Sequence, residues 1–176
     1  MERLSFKLLD LLLLKKDEIT MKRVWLGTYL VEVERALTPN MKNKGIRLVC
    51  KADQKRVELE PDLVKSLLYN LVDNASKAMD NGGIIAVRAT AIPDGCQFQV
   101  VDNGRGMEKA ELAKITEAFY RVDKARSRSQ GGAGLGLALC KQIVELHSGN
   151  ISFASEPGKG TRVTVTLYGK AGNDDA

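Results

Sequence analysis

Apolar residues recur along this chain at two spacings, and the switches between them mark its elements. Residues 2 to about 16 read as a helix, because Leu4, Leu8, Leu11 and Leu12 repeat at helical spacing. Lys15 and Lys16 suit the negative end of its dipole. A short extended segment around Val24 and Leu26 comes next. A second amphipathic helix then carries Tyr29, Leu30, Val33, Leu37 and Met41 on one face and ends near Gly45. Two short strands follow, IRLVCKA and RVELE. Pro61 opens the next helix at its first turn, where the missing N–H is harmless. Leu63, Leu67, Leu68, Leu71, Val72, Ala75 and Met79 form the stripe of that helix. Asn81, Gly82 and Gly83 make a turn, and the strands IIAVRATA and CQFQVVD flank a second turn at Pro93, Asp94 and Gly95. Residues 103–132 read as a long polar loop with a short helical piece at 109–118. A helix over 133–147 stops at Gly149, and the strands ISFAS and RVTVTLY close the chain around residues 156–160.

This mixture lacks the regular alternation of a doubly wound sheet, and its last two strands form a hairpin. The predicted fold class is therefore α+β: a two-layer sandwich of a mixed, mostly antiparallel sheet on about three helices, with an N-terminal helical stub. A length of 176 residues suits one domain, expected over 21–170, after a stub and linker at 1–20 and before a frayed tail at 171–176.

Composition narrows the partners. An apolar content of 44% and a charged content of 28% are ordinary for a globular protein in water. The apolar run at 8–14 is interrupted by Asp10 and falls short of the ~20 residues that cross a bilayer. Glu2 follows Met1 and no small-residue cleavage site appears, so no secretory signal is expected. Cys50, Cys96 and Cys140 lie far apart inside apolar runs and read as core residues in a reducing, cytoplasmic setting. The net charge of +5 comes with no basic stripe interleaved with aromatics, so nucleic acid is not an expected partner. Basic residues instead thicken over 121–128, in RVDKARSR.

Four features carry candidate chemistry, in order. Asn70, Asn74 and Lys77 are spaced four and three apart, on one helix face. An amide oxygen is a hard ligand suited to magnesium, and a lysine one turn on can meet a phosphate; an ordinary solvated helix face is the alternative. Next, the strand VVD runs into Asp102-Asn103-Gly104-Arg105-Gly106. A carboxylate there can accept a hydrogen bond from an exocyclic base amine, while the glycines let backbone approach a flat ring. A glycine turn capped by Asp is equally compatible. Third, Gly131, Gly132, Gly134, Leu135 and Gly136 open a helix and offer N–H groups to phosphate oxygens. They match neither a P-loop nor a dinucleotide fingerprint. Fourth, Gly158-Lys159-Gly160-Thr161 is a hairpin turn whose threonine is useful only if these strands lie near the ring pocket.

In this order and spacing the four segments resemble the N box and glycine boxes of the GHKL ATP-binding superfamily, with its Bergerat fold. EAFYRVDK, from Glu117 to Lys124, resembles the F box of its sensor histidine kinases, as does the helix LALCKQIVELHSGNI. The resemblance spans residues 22–168. It implies that Asp102 binds the adenine amine, with Gly104 and Gly106 shaping that pocket and Thr161 assisting. It implies magnesium coordination by Asn74 with Asn70, and a triphosphate contact from Lys77. Residues 107–132 would form an ATP lid anchored by Phe119, with Arg121 a candidate phosphate contact that joins Asn70 and Lys77 in catalysis, and with Tyr120, Gly132, Gly134, Leu135 and Gly136 among the nucleotide-binding residues.

ATP-hydrolysing relatives such as type II topoisomerases carry a water-activating glutamate where this chain has Asn70. An amide is no general base at neutral pH, which fits an enzyme that keeps the γ-phosphoryl group for a side chain. His147 is the chain's one histidine and sits at a helix C-terminus, where a structural role is expected. The acceptor would therefore lie on a separate dimerisation domain of a homodimeric parent, with a response regulator downstream and residues 1–16 as the tail of the second dimerisation helix. Two other readings stay open: a nucleotide-sensing module without transfer, and a serine-kinase or ATPase branch. No membrane contact is expected of this stretch, although a longer parent could be membrane-anchored.

Overall fold

The computed structural model describes residues 14–121 and 133–169, and of residues 118–121 and 133–135 the backbone alone. Among the described residues the order is β1 (Lys22–Trp25), α1 (Leu26–Asn43), β2 (Ile46–Ala52), β3 (Arg56–Leu59), α2 (Pro61–Lys77), β4 (Gly83–Ile92), β5 (Gly95–Asp102), α3 (Lys109–Arg121), α4 (Ala133–Leu146), β6 (Asn150–Glu156) and β7 (Gly160–Tyr168). Five strands form one sheet in the order β2-β4-β5-β7-β6. Only the β2–β4 pair in it is parallel, and β1 and β3 make a separate antiparallel ribbon. The α+β expectation of a mixed, mostly antiparallel sheet under helices is met, with four helices among the described residues.

The helices form where the apolar stripe predicts them. In α1, Leu26, Tyr29, Leu30, Val33, Leu37 and Met41 are buried, and Gly45 ends the turn at a φ of 69°. Helix α2 starts where the Glu60 side chain accepts the Leu63 N–H at 2.6 Å and Pro61 supplies a preset φ. The phenol of Tyr29 donates to the Pro61 carbonyl at 2.8 Å, tying α1 to that start.

Period-two alternation sets the inner face of the sheet. Ile85, Val87 and Ala89 of β4, Phe98 and Val100 of β5, and Val165 and Leu167 of β7 are all buried there. Asp102 follows Cys96, Phe98 and Val100 in the same parity, so the alternation turns a carboxylate toward the core side. Thr161 stands in the same relation to Val163, Val165 and Leu167.

Two sequence expectations change. The helix expected over 2 to about 16 lies outside the described residues as far as 13, and residues 14–16 are not helical. The Leu14 carbonyl accepts from the Gln142 side chain of α4 at 2.9 Å, and the Glu18 carboxylate accepts the Lys15 N–H at 2.7 Å. Those contacts satisfy the backbone in a turn that lays Ile19 into the core. The helical piece expected at 109–118 continues to Arg121. No helix among the described residues is long and apolar enough to cross a membrane.

Candidate functional site

A cavity of about 260 Å³ opens over the inner face of β5, β6 and β7. Leu71, Asn74, Ala75 and Ala78 wall it from one face of α2, at intervals of three and four residues. Val100, Phe153 and Val163 form the apolar floor, and Leu137, Met107 and Ile115 close the remaining sides. Asp102 lies among these groups and is only 6% exposed. Its Oδ1 accepts the N–H of Gly104 at 2.9 Å and of Thr161 at 3.3 Å. Among the described residues no donor meets the second oxygen. Burial pushes the Asp102 carboxyl above its ordinary pKa, and the two amides pull it part-way back.

The D-x-G-x-G loop is locked into place by backbone. The N–H of Arg105 donates to the Ala78 carbonyl at the end of α2 at 3.0 Å, and the Gly158 N–H donates to the Arg105 carbonyl at 2.7 Å. A Cβ at Gly104 would come within 2.6 Å of the Ala78 oxygen. Gly106 has a φ of 66°, and a Cβ there would strike the Glu156 carbonyl. At Gly160, with a φ of 91°, it would strike the Asp102 carbonyl. These glycines serve the close approach of the loop to the β6–β7 turn. Thr161 thus reaches the cavity wall, and its hydroxyl pairs with Ser155 at 2.9 Å.

The asparagines and lysine divide. Asn74 and Lys77 line the cavity and Asn70 does not. The Asn70 Nδ2 donates to the Ser66 carbonyl at 2.9 Å, and its Oδ1 would be 3.0 Å from a Cβ at Gly136. Gly136 therefore lets the first turn of α4 close on α2. Lys77 pairs with Asp73 at 2.8 Å, and Lys44 lies 3.5 Å from the same carboxylate. Partial burial pushes the Asp73 carboxyl up, but Lys77 and then Lys44 hold it below its ordinary value.

Helix α4 begins at Ala133, as the glycine-rich opening predicts. Gly134 and Leu135 fall in its first turn and Phe119, Tyr120 and Arg121 close α3, with their side chains outside the described set. Gly132 and the basic run from 122 onward lie outside the described residues. Met107, Glu111 and Ile115 of the cavity wall fall within the expected lid and Arg105 within the D-x-G-x-G motif, whereas Leu137, Phe153 and Val163 lie outside the expected site. Strand alternation marks Phe153 and Val163 as inward, but no local signal tells which inward positions the helices leave uncovered.

His147 is 1% exposed and is not among the residues that line the cavity. Its Nδ1–H donates to the Ile143 carbonyl at 2.8 Å, and Nε2 accepts the Glu60 N–H at 3.1 Å. A carbonyl on one side and an amide on the other fix a neutral tautomer. Burial pushes its pKa down, against the opposing pulls of Ile143 and Glu60. Cys96 and Cys140 are fully buried, Cys50 is partly so, and burial pushes all three thiols up to about 12.

Residues 59–170 match the family described as histidine kinase-, DNA gyrase B-, and HSP90-like ATPase, and the chain belongs to that family. Within it the chain is similar to sensor histidine kinases. It is 39% identical over 121 residues to sensor histidine kinase WalK of Bacillus subtilis, covering 68% of this chain and 20% of that protein. Sensor protein SrrB of Staphylococcus aureus is 36% identical over 124 residues, 70% of this chain and 21% of its own length. The chain thus spans about a fifth of these curated relatives. The catalytic domain of histidine kinase ThkA superposes with a TM-score of 0.70 at 23% identity, over 85% of this chain and 96% of that one. Full-length ShkA in complex with AMPPNP gives 0.72 at 24% identity, over 93% of this chain and 35% of that one.

Proposed function

We propose that this chain binds Mg-ATP in the Asp102 cavity and donates the γ-phosphoryl group to a histidine of a separate dimerisation domain, in two-component signalling. The observation that carries the reading is the half-satisfied carboxylate of Asp102 in a mostly apolar slot. Such a slot suits a flat heteroaromatic ring bearing one amine donor. The AMPPNP held by the ShkA relative supports the same choice of ligand.

Adenine would stack between the α2 face and Phe153, with its amine on the free oxygen of Asp102. The phosphates would then run toward Lys77 and the first turn of α4. Among the described residues no group of three or more His, Cys, Asp or Glu could hold a metal. The Asn74 amide oxygen, with Asn70 behind it, fits a hard cation that takes its other ligands from phosphate and water. Magnesium bound there would neutralise charge on the triphosphate. Asn70 cannot deprotonate water, and its amide is already committed to the Ser66 carbonyl. Transfer breaks the bond between the γ-phosphorus and the bridging oxygen, forms a phosphorus–nitrogen bond on the acceptor imidazole, and leaves ADP. The cytoplasmic setting, the homodimeric parent, its possible membrane anchor and the downstream response regulator belong to this same reading.

Mixing the chain with a separately made histidine-bearing helical domain and γ-labelled ATP tests it. Acid-labile label should appear on the helical domain. Label released as inorganic phosphate would indicate an ATPase, and binding without transfer would indicate a sensing module.

A further inference from the structure

Lys77 lines the cavity, yet its ammonium is held by a carboxylate of its own helix. Its Nζ lies 2.8 Å from Oδ2 of Asp73, one turn earlier. The other oxygen of Asp73 lies 3.5 Å from Nζ of Lys44, the residue that caps α1. Lys44 also donates to Oγ of buried Ser76 at 2.9 Å, and that hydroxyl donates to the Asp73 carbonyl at 2.8 Å. Asp73 therefore stands between two cations from different elements, and only Lys77 is part of the cavity wall.

We infer that Asp73 and Lys44 are positioning residues that set how freely Lys77 can engage the phosphate end of the nucleotide. This rests on the proposed reading of the cavity as an ATP site. A triphosphate and the Asp73 carboxylate compete for the same ammonium. Lys44 decides how much that competition costs, because it stays beside Asp73 when Lys77 leaves. Its bond to Ser76, itself 4% exposed, fixes it there. Without Lys44, departure of Lys77 would strand a carboxylate with no counter-charge. The Asp73 and Lys77 side chains are 43% and 60% exposed, so solvent screens the pair. The expected effect is accordingly a few-fold change in affinity rather than its loss.

Calorimetric titration of ATP and of adenosine at low ionic strength tests this on the wild type, Asp73→Asn, Lys44→Met and the double variant. Asp73→Asn should tighten ATP roughly two- to fivefold and leave adenosine unchanged. Lys44→Met should weaken ATP by a similar factor with adenosine unchanged, and its effect should vanish in the Asp73→Asn background. A merely structural role would move adenosine and ATP together. Weaker ATP binding in Asp73→Asn, or an equal cost of Lys44→Met in both backgrounds, overturns the inference while the ATP site stands. A wild type that binds neither ligand overturns the site itself.

Discussion

Asp102 is asked to be a charge in a place that disfavours charge. Its folded-state pKa is raised, so the stability it contributes is full below its ordinary value and is lost as pH rises through the raised one. At neutral pH the empty site is destabilised by the group it needs for binding. Asp102→Asn keeps an oxygen for the Gly104 and Thr161 amides but turns an N–H toward the base amine. We expect ATP affinity to fall by roughly a hundredfold, while the empty protein melts no lower than wild type. A variant that loses affinity only because it unfolds would show as a lowered melting temperature. His147 has the opposite sign. Its pKa is lowered, so its contribution is full above its ordinary value of 6.5 and is lost as pH falls through the lowered one. Urea unfolding should therefore show a loss of stability from pH 7.5 to pH 5 that His147→Ala removes. That substitution should itself cost roughly 2–4 kcal/mol, because it opens a cavity and strands the Glu60 N–H. No acid-labile label should form at His147 in the isolated chain.

At the scale of elements, the site is a junction of three chain segments: the end of α2, the D-x-G-x-G loop and the β6–β7 turn. Gly106→Ala places a methyl group against the Glu156 carbonyl in a left-handed conformation. It should cost roughly 1–3 kcal/mol in a denaturant titration and weaken ATP binding, whereas Gly158→Ala, with open space around it, should disturb only its own φ. This junction also shows what the sequence could convey. Helix stripes, strand alternation and the glycine motifs were legible because each depends on neighbours within a few residues. The motif order was legible as a resemblance, and Asn74, Lys77, Asp102 and Thr161 do meet at one cavity. Helical spacing groups Asn70 with them, but it lies one turn back on α2, where its side chain meets the Ser66 carbonyl and the Gly136 position of α4 rather than the cavity. The glycines expected to admit a ring also admit neighbouring backbone, and Gly106 lines the cavity. The non-helical course of residues 14–16 was hidden because Gln142, which takes the Leu14 carbonyl, lies 128 positions away.

For the whole molecule, the proposed function makes the described residues the donor side of a phosphotransfer. The α2–sheet sandwich holds a carboxylate, an asparagine and a lysine around one cavity, and the histidine present is sealed between α4 and the start of α2. The curated relatives are about five times longer than the stretch this chain matches, and the proposed phosphotransfer needs a partner of the kind that extra length can supply. The proposed function requires first that the cavity be an ATP site centred on Asp102. Calorimetric titration of Mg-ATP into the wild-type chain and into Asp102→Asn tests that directly. Saturable one-site binding by the wild type, weakened roughly a hundredfold in an equally folded variant, is the expected result. Equal binding by both proteins, or none by the wild type, would contradict it.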